Sequence, residues 1–161
     1  MITINYCITE DANQVTPHTI YQFLKHIDRV YLQLSPAHQS FTLMNTTTIC
    51  EGAIIENTEK AGFQQVCHRY TVETDTPQHI VLVSPRSMVS IGGIMRMPVH
   101  VAVAFFIDND ATHVRLRCEL TLSFYKKIHE VAARLIGTYR IWNAHVQEEM
   151  ENGRRIFMTA A

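Results

Sequence analysis

His145 and Glu149 stand four positions apart in Trp142-Asn-Ala-His145-Val-Gln-Glu148-Glu149-Met150. On a helix this spacing puts an imidazole and a carboxylate one turn apart on one face, where both can grip the same divalent cation. Ile128, Val131, Leu135, Tyr139, Trp142 and Val146 recur around them at three- and four-residue steps, drawing an apolar stripe. His145 and Glu149 thus occupy stripe positions where Leu or Ile would be expected, and a buried polar pair needs partners. On an exposed face the same two residues would be an ordinary helix pair worth about 0.3 kcal/mol, continuous with the acidic run Glu148, Glu149, Glu151.

His38 follows Ser35-Pro36 at the end of a helical region and is a second imidazole in a connection. His68 and Tyr70 share a strand face with Val66 and Val72, which makes them candidate proton carriers; Tyr31 and His100 are further ones. Other chemistries lack their residues. Ile91-Gly92-Gly93 has neither the Lys nor the following helix of a phosphate loop, and no G-x-S-x-G elbow occurs. Cys7, Cys50, Cys67 and Cys118 are widely spaced with no C-x-x-C pair. They read as small core residues in a reducing compartment rather than a disulfide framework.

These groups must be positioned by the surrounding elements. Residues 2–8 alternate as a strand. Thr16-Pro17 marks a helix start, with the hydroxyl as cap and Pro in the first turn. Ile20, Phe23, Leu24, Ile27, Val30 and Tyr31 continue a helical stripe up to Ser35-Pro36. Residues 46–57 read as a strand, turned by Glu59-Lys-Ala-Gly62, and further strands cover 63–74, 79–84 and 98–107. Residues 85–97, with Pro85, Gly92-Gly93 and Met residues, predict an irregular segment or a bulged strand. Asp108-Asn-Asp110 turns into 112–124, where Val114, Leu116, Cys118, Leu120 and Leu122 alternate with Arg115, Arg117, Glu119 and Thr121. One long helix is predicted from about 126 to 151, ending at Asn152-Gly153. An antiparallel sheet with one face to bury, followed by a strongly striped helix, is satisfied if the sheet wraps around that helix and leaves a cavity between them. The fold class is α+β, a single domain over 1–161.

With Ser35-Pro36-Ala-His38, Glu51-Gly52 and the terminal amphipathic helix in that order, the chain resembles the helix-grip superfamily of START-like and polyketide-cyclase-like proteins over nearly its whole length. Within it, His38 together with His145-x-x-x-Glu149 resembles the diacetylphloroglucinol hydrolases. That resemblance implies a zinc enzyme that cleaves a carbon–carbon bond of an acylated phenol and releases acetate. Its metal ligands would be His38, a strand Glu, His145 and Glu149. Glu56 is taken as the strand ligand because it shares a face with Cys50, Gly52 and Ile54; Glu51 and Glu73 are the alternatives. Two imidazoles and two carboxylates suit Zn²⁺ and tolerate other divalent metals. The rival expectations are a metal-free carrier of a hydrophobic or aromatic ligand, and a metal-free aromatase or cyclase using His and Tyr.

At 161 residues the chain is long enough to enclose a cavity. A net charge of -1, a pI near 6.7 and no basic block argue against nucleic-acid and anionic-membrane partners. There is no signal-like start and no membrane-length apolar run, so the cytoplasm is the expected location. The alternating Arg/Glu face of 112–124 could be solvated or could pair with a second subunit.

Overall fold

The computed structural model describes residues 1–160. Seven strands form one antiparallel sheet: β1 (Ile2–Asp11), β2 (His38–Leu43), β3 (Ile54–Ala61), β4 (Gln64–Thr76), β5 (His79–Ile91), β6 (Met95–Asn109) and β7 (His113–Phe124). Their order is β1-β7-β6-β5-β4-β3-β2, so the chain leaves β1 for the opposite edge and then returns strand by strand. The crossing is made by α1 (Pro17–Lys25), a short 3-10 turn and α2 (Tyr31–Leu34). Thr16 caps α1 by accepting from the Thr19 amide, with Pro17 in the first turn, as its residue types require. After β7 come α3 (Lys127–Leu135) and α4 (Thr138–Ala160), and α4 lies against β1, β3, α1 and α2. This is the helix-grip arrangement: one sheet face wrapped around the last helix.

The inward face of β7 is the alternating set Val114, Leu116, Cys118, Leu120 and Leu122, all buried. Its outward arginines find partners within the sheet. Arg115 pairs with Asp108 and Asp110, and Arg117 lies over the Phe106 ring at 4.3 Å. Cys118 alone of the four cysteines is buried; Cys7 and Cys67 sit on the outer sheet face and Cys50 in a turn, all as free thiols.

Several boundaries differ from those expected. Residues 46–53 are loop and turn, β3 starts only at Ile54, and His38–Leu43 is a strand in its own right. Polar Gln-Ser and the bulge between His38 and Ser40 hide its alternation. Of the two expectations for residues 85–97, the bulged strand holds. β5 passes through a bulge between Ser84 and Ser87, where Pro85 needs no ladder donor, and Gly92 and Gly93 at φ 58 and 75 turn it into β6.

The long helix is broken at Gly137, whose φ of 74 is the left-handed helix stop. In consequence Ile128, Val131, Leu135 and Tyr139, expected in the core, are exposed, while Trp142 and Val146 are buried. At its other end α4 runs straight through Asn152-Gly153 to Ala160. A β-carbon at Gly153 would meet Phe23 Cζ at 3.2 Å, and Phe23 is itself packed edge-on to Phe157 at 5.6 Å. This glycine permits a close helix crossing and does not end the helix. Gly153→Ala should therefore forfeit the usual helix-propensity gain of about 1 kcal/mol. We expect a net loss of about 1 kcal/mol from overpacking, read as a lower urea midpoint; a raised midpoint would show that Phe23 yields freely.

Candidate functional site

Three imidazoles converge where β2, β3, β4 and α4 meet beneath α2. Register dictates the first contact, because His38 at the start of β2 is the cross-strand partner of Glu59 on β3. One strand further, His68 pairs across from Asn57. His145 comes down from α4. All three histidines, with Asn57 and Glu59, are buried.

The outer ring nitrogen of each imidazole is engaged, and that fixes what the inner one offers. His38 Nδ1 donates to the Tyr31 carbonyl at 2.6 Å. His68 Nδ1 lies 2.7 Å from Ser87 Oγ; Ser87 spends its proton on Ser84 Oγ at 2.8 Å and so accepts from His68. The bulge in β5 brings both serines to the inner face for this relay. Ser35 Oγ donates to Glu148 at 2.6 Å, which leaves it to accept from His145 Nδ1 at 3.4 Å. In the neutral imidazoles all three Nε2 atoms then carry bare lone pairs, those of His68 and His145 facing Glu59 and that of His38 facing Glu149. Nε2 of His38 and of His145 are buried with no hydrogen-bond partner.

Glu59 is the carboxylate nearest two of the three. Its carboxylate accepts from the Tyr31 hydroxyl and from Asn57 Nδ2 at 2.7 Å, and lies 3.4 Å from His145 Nε2 and 3.9 Å from His68 Nε2. Glu149, one turn beyond His145, reaches within 3.9 Å of His38 Nε2. One donor atom each from His38, Glu59 and His145 lies within 4.8 Å of the others, a spacing that a divalent ion could span with small side-chain shifts. Tyr31 stacks flat on His38 at 3.9 Å, and His145 meets His38 and Trp142 edge-on at 5.1 and 5.3 Å. The position of Trp142 is set in turn by its indole donating to Gln64 at 2.8 Å, which donates to Thr138.

Electrostatics divides the two carboxyls. Burial pushes Glu59 up, but the His145 contact and the histidine charges outweigh it and hold the group down at about 2. Burial pushes Glu149 up, and the nearby histidines offset this only in part. Burial lowers His145, yet Glu59 raises it further and the net direction is upward; His68, with burial dominant, is lowered. Tyr31 and Tyr70 are raised well above the ordinary phenol value, first by burial and then by Glu59, so both hydroxyls keep their protons.

The cluster forms one end of a cavity of about 100 Å³ between sheet and helices. The rest of the wall is apolar, with Phe41, Leu82, Phe105, Leu122 and Phe124 among its residues. An apolar chamber with a few convergent polar groups at one end is the usual form of a small-molecule site.

Of the residues read from the sequence, His38, His145 and Glu149 are brought together. His68 and Tyr70 line the cavity beside them, with rings stacked at 4.8 Å. Glu56 is not brought there: it lies on the outer sheet face, paired with Arg69 at 3.2 Å. The expectation failed because Cys50 and Gly52, used to set its face, belong to the preceding turn; the inward set of β3 is Ile55, Asn57, Glu59 and Ala61. Glu51 is in that turn, and Glu73 is exposed on β4. His100 falls between the inward Val99 and Val101 and so faces away. Glu59, assigned to a turn by the sequence reading, is the carboxylate at the centre. Alternation counted back from Ala61 was the signal available for it.

No family model matches this chain, and no curated protein matches it in sequence. Solved structures do. TTHA0849 from Thermus thermophilus superposes with a TM-score of 0.72 at 11% identity, over 99% of each chain. A major latex-like protein from Panax ginseng does so with a TM-score of 0.54 at 10% identity, over 89% of this chain and 97% of that one. DynU16, a protein of the dynemicin biosynthetic locus, gives 0.58 at 11% identity over 98% of this chain, which spans 48% of DynU16. At these identities the likeness is one of fold. Among the described residues no helix is long and apolar enough to cross a membrane.

Proposed function

We propose that the protein binds a small aromatic or hydrophobic molecule in its cavity and, with a divalent ion held by His38, Glu59 and His145, hydrolyses an acyl group on it. The observation that carries this reading is the convergence of His38, Glu59 and His145, whose donor atoms lie within 4.8 Å of one another, with Nε2 of both histidines buried and without a hydrogen-bond partner. Buried ring nitrogens without a hydrogen-bond partner are costly in a folded interior, and the set His38, Glu59 and His145 suits zinc. When bound, the ion would polarise the acyl carbonyl and make water a better nucleophile.

The chain's own groups supply the remainder. Glu149 stands close enough to be a fourth donor. The apolar wall takes the ring and excludes bulk water. His68, kept neutral by burial and oriented by Ser87, is placed to take a proton from water at Nε2 and return it to the ring carbon that leaves. Tyr70, protonated and stacked on His68, is a hydrogen-bond donor for the substrate's oxygen.

The predominantly apolar wall also supports a second reading, a metal-free carrier or cyclase for a polyketide-like ligand. Metal analysis of the purified protein, with acetate release from an acylated phloroglucinol, tests the two together. The hydrolase reading expects about one equivalent of zinc per chain and acetate release that His68→Gln abolishes. Metal without turnover would discard the substrate class, and ligand uptake without metal would discard the ion.

A further inference from the structure

The break at Gly137 turns α3 into a separate amphipathic helix with its apolar stripe facing outward. Ile128, Val131 and Leu135 are 72%, 48% and 82% exposed, and Ala133 is its buried residue. At spacings of three and four they occupy one side of the helix, opposite the side that packs. Tyr125 and Tyr139, just before and just after the helix, are also exposed, by 56% and 49%. Lone exposed apolar residues are ordinary, but a stripe of this kind on one short helix is not.

Charge indicates what covers it. Glu130 is the one acid of the segment 125–140, and it is held by Arg134 at 3.0 Å. Lys126, Lys127 and Arg140 are exposed and have no carboxylate partner among the described residues. Lys127 and Arg134, seven apart, flank the stripe on one side. The whole-chain charge of -1 averages over this local excess. An apolar helical stripe flanked by Lys127 and Arg134, with the unpaired Lys126 and Arg140 beyond its ends, fits the interface of an anionic bilayer, where the side chains enter the acyl boundary and the free cations meet the headgroups.

Position adds a reason. Phe124 and Thr138, which precede and follow α3, both line the cavity, so the helix adjoins that end of the chamber. We propose that α3 docks this protein peripherally on an anionic lipid surface and brings that end of the cavity to the bilayer, from which a hydrophobic ligand can enter. The docking is independent of any metal.

Co-sedimentation of the full chain with phosphatidylcholine vesicles, with and without phosphatidylserine, tests it. Binding is expected to the phosphatidylserine vesicles, weaker to phosphatidylcholine alone, and falling with added salt. Lys127→Gln should weaken it about fivefold, the equivalent of one basic contact, and Leu135→Asp should abolish it. The exposure of both side chains keeps the fold intact, which circular dichroism verifies. Failure to sediment with phosphatidylserine vesicles would overturn the proposal, as would equal binding of the Leu135→Asp variant. So would a Leu135-dependent dimer in sedimentation velocity without vesicle binding, since the patch would then be a contact between two copies. Zinc content read on the same sample keeps this outcome separate from that of the metal site.

Discussion

His145→Ala should lower zinc affinity by well over a hundredfold, measured by competition with a chromophoric chelator. Loss of an outer-shell partner commonly costs 10–100-fold, and His145 is placed as an inner ligand: buried, tautomer fixed by Ser35, Nε2 unpartnered and 3.4 Å from Glu59. Two controls give the number meaning. Ser35→Ala, which removes the support of that tautomer together with the Glu148 and Ala37 hydrogen bonds but no inner ligand, should fall within the outer-shell range. Glu56→Ala should change nothing, since that carboxylate faces outward onto Arg69. Binding should also strengthen with pH, because a ligating His145 must be neutral and Glu59 raises its pKa in the metal-free protein. Zinc uptake below that raised pKa then releases a proton, detectable in a weakly buffered titration. Undiminished zinc binding in His145→Ala would remove the site; loss of binding in Glu56→Ala would mean that the chain closes differently from the arrangement described here.

The elements legible in the sequence were those with a strong period and unambiguous ends. β7 shows its alternation because its inward face is uniformly aliphatic, and α1 announces itself by Thr16-Pro17. The helix-grip architecture followed from element order, and His145 and Glu149 from their spacing, while His38 was joined to them by the family resemblance. What was not legible depended on context. The stripe through Ile128 and Leu135 is continuous in sequence, and Gly137 decides that its first half faces outward. Gly153 looked like a stop because glycine so often is one, whereas here a crossing helix needs the space. Glu59 was hidden by a phase error of the kind to which β-strands are most vulnerable. Shifting the start of β3 changes which carboxylate points inward, and nothing local to Glu56 or Glu59 tells them apart. The cross-strand pairing with His38 does, and that is a tertiary fact.

Glu59→Gln should cost the metal-free protein about 3 kcal/mol near pH 6, at the lower end for breaking a buried charge pair because the amide is isosteric and keeps hydrogen bonds to Tyr31 and Asn57. The pH dependence distinguishes a charge pair from mere shape. Glu59 titrates below its unfolded value, so its contribution is complete above the ordinary carboxylate range and lost as pH falls toward about 2. His145 titrates above its unfolded value, so its contribution is complete below the ordinary imidazole range and lost as pH rises through the raised value. The difference in unfolding free energy between native protein and variant is therefore largest between these ranges and shrinks on both sides. Above its raised pKa His145 is neutral, and the Gln amide can donate to its Nε2. Urea unfolding of both proteins at about pH 3, 6 and 9, with chelator present, measures this directly. A difference that does not vary with pH would mean that Glu59 is held there as a packed hydrogen-bonding group, without a charged His145 opposite it. A variant that is more stable near pH 6 would mean that the buried carboxylate is kept at a cost to folding. That result would favour a bound cation as the reason for the carboxylate, because an ion recovers stability in proportion to its affinity and concentration.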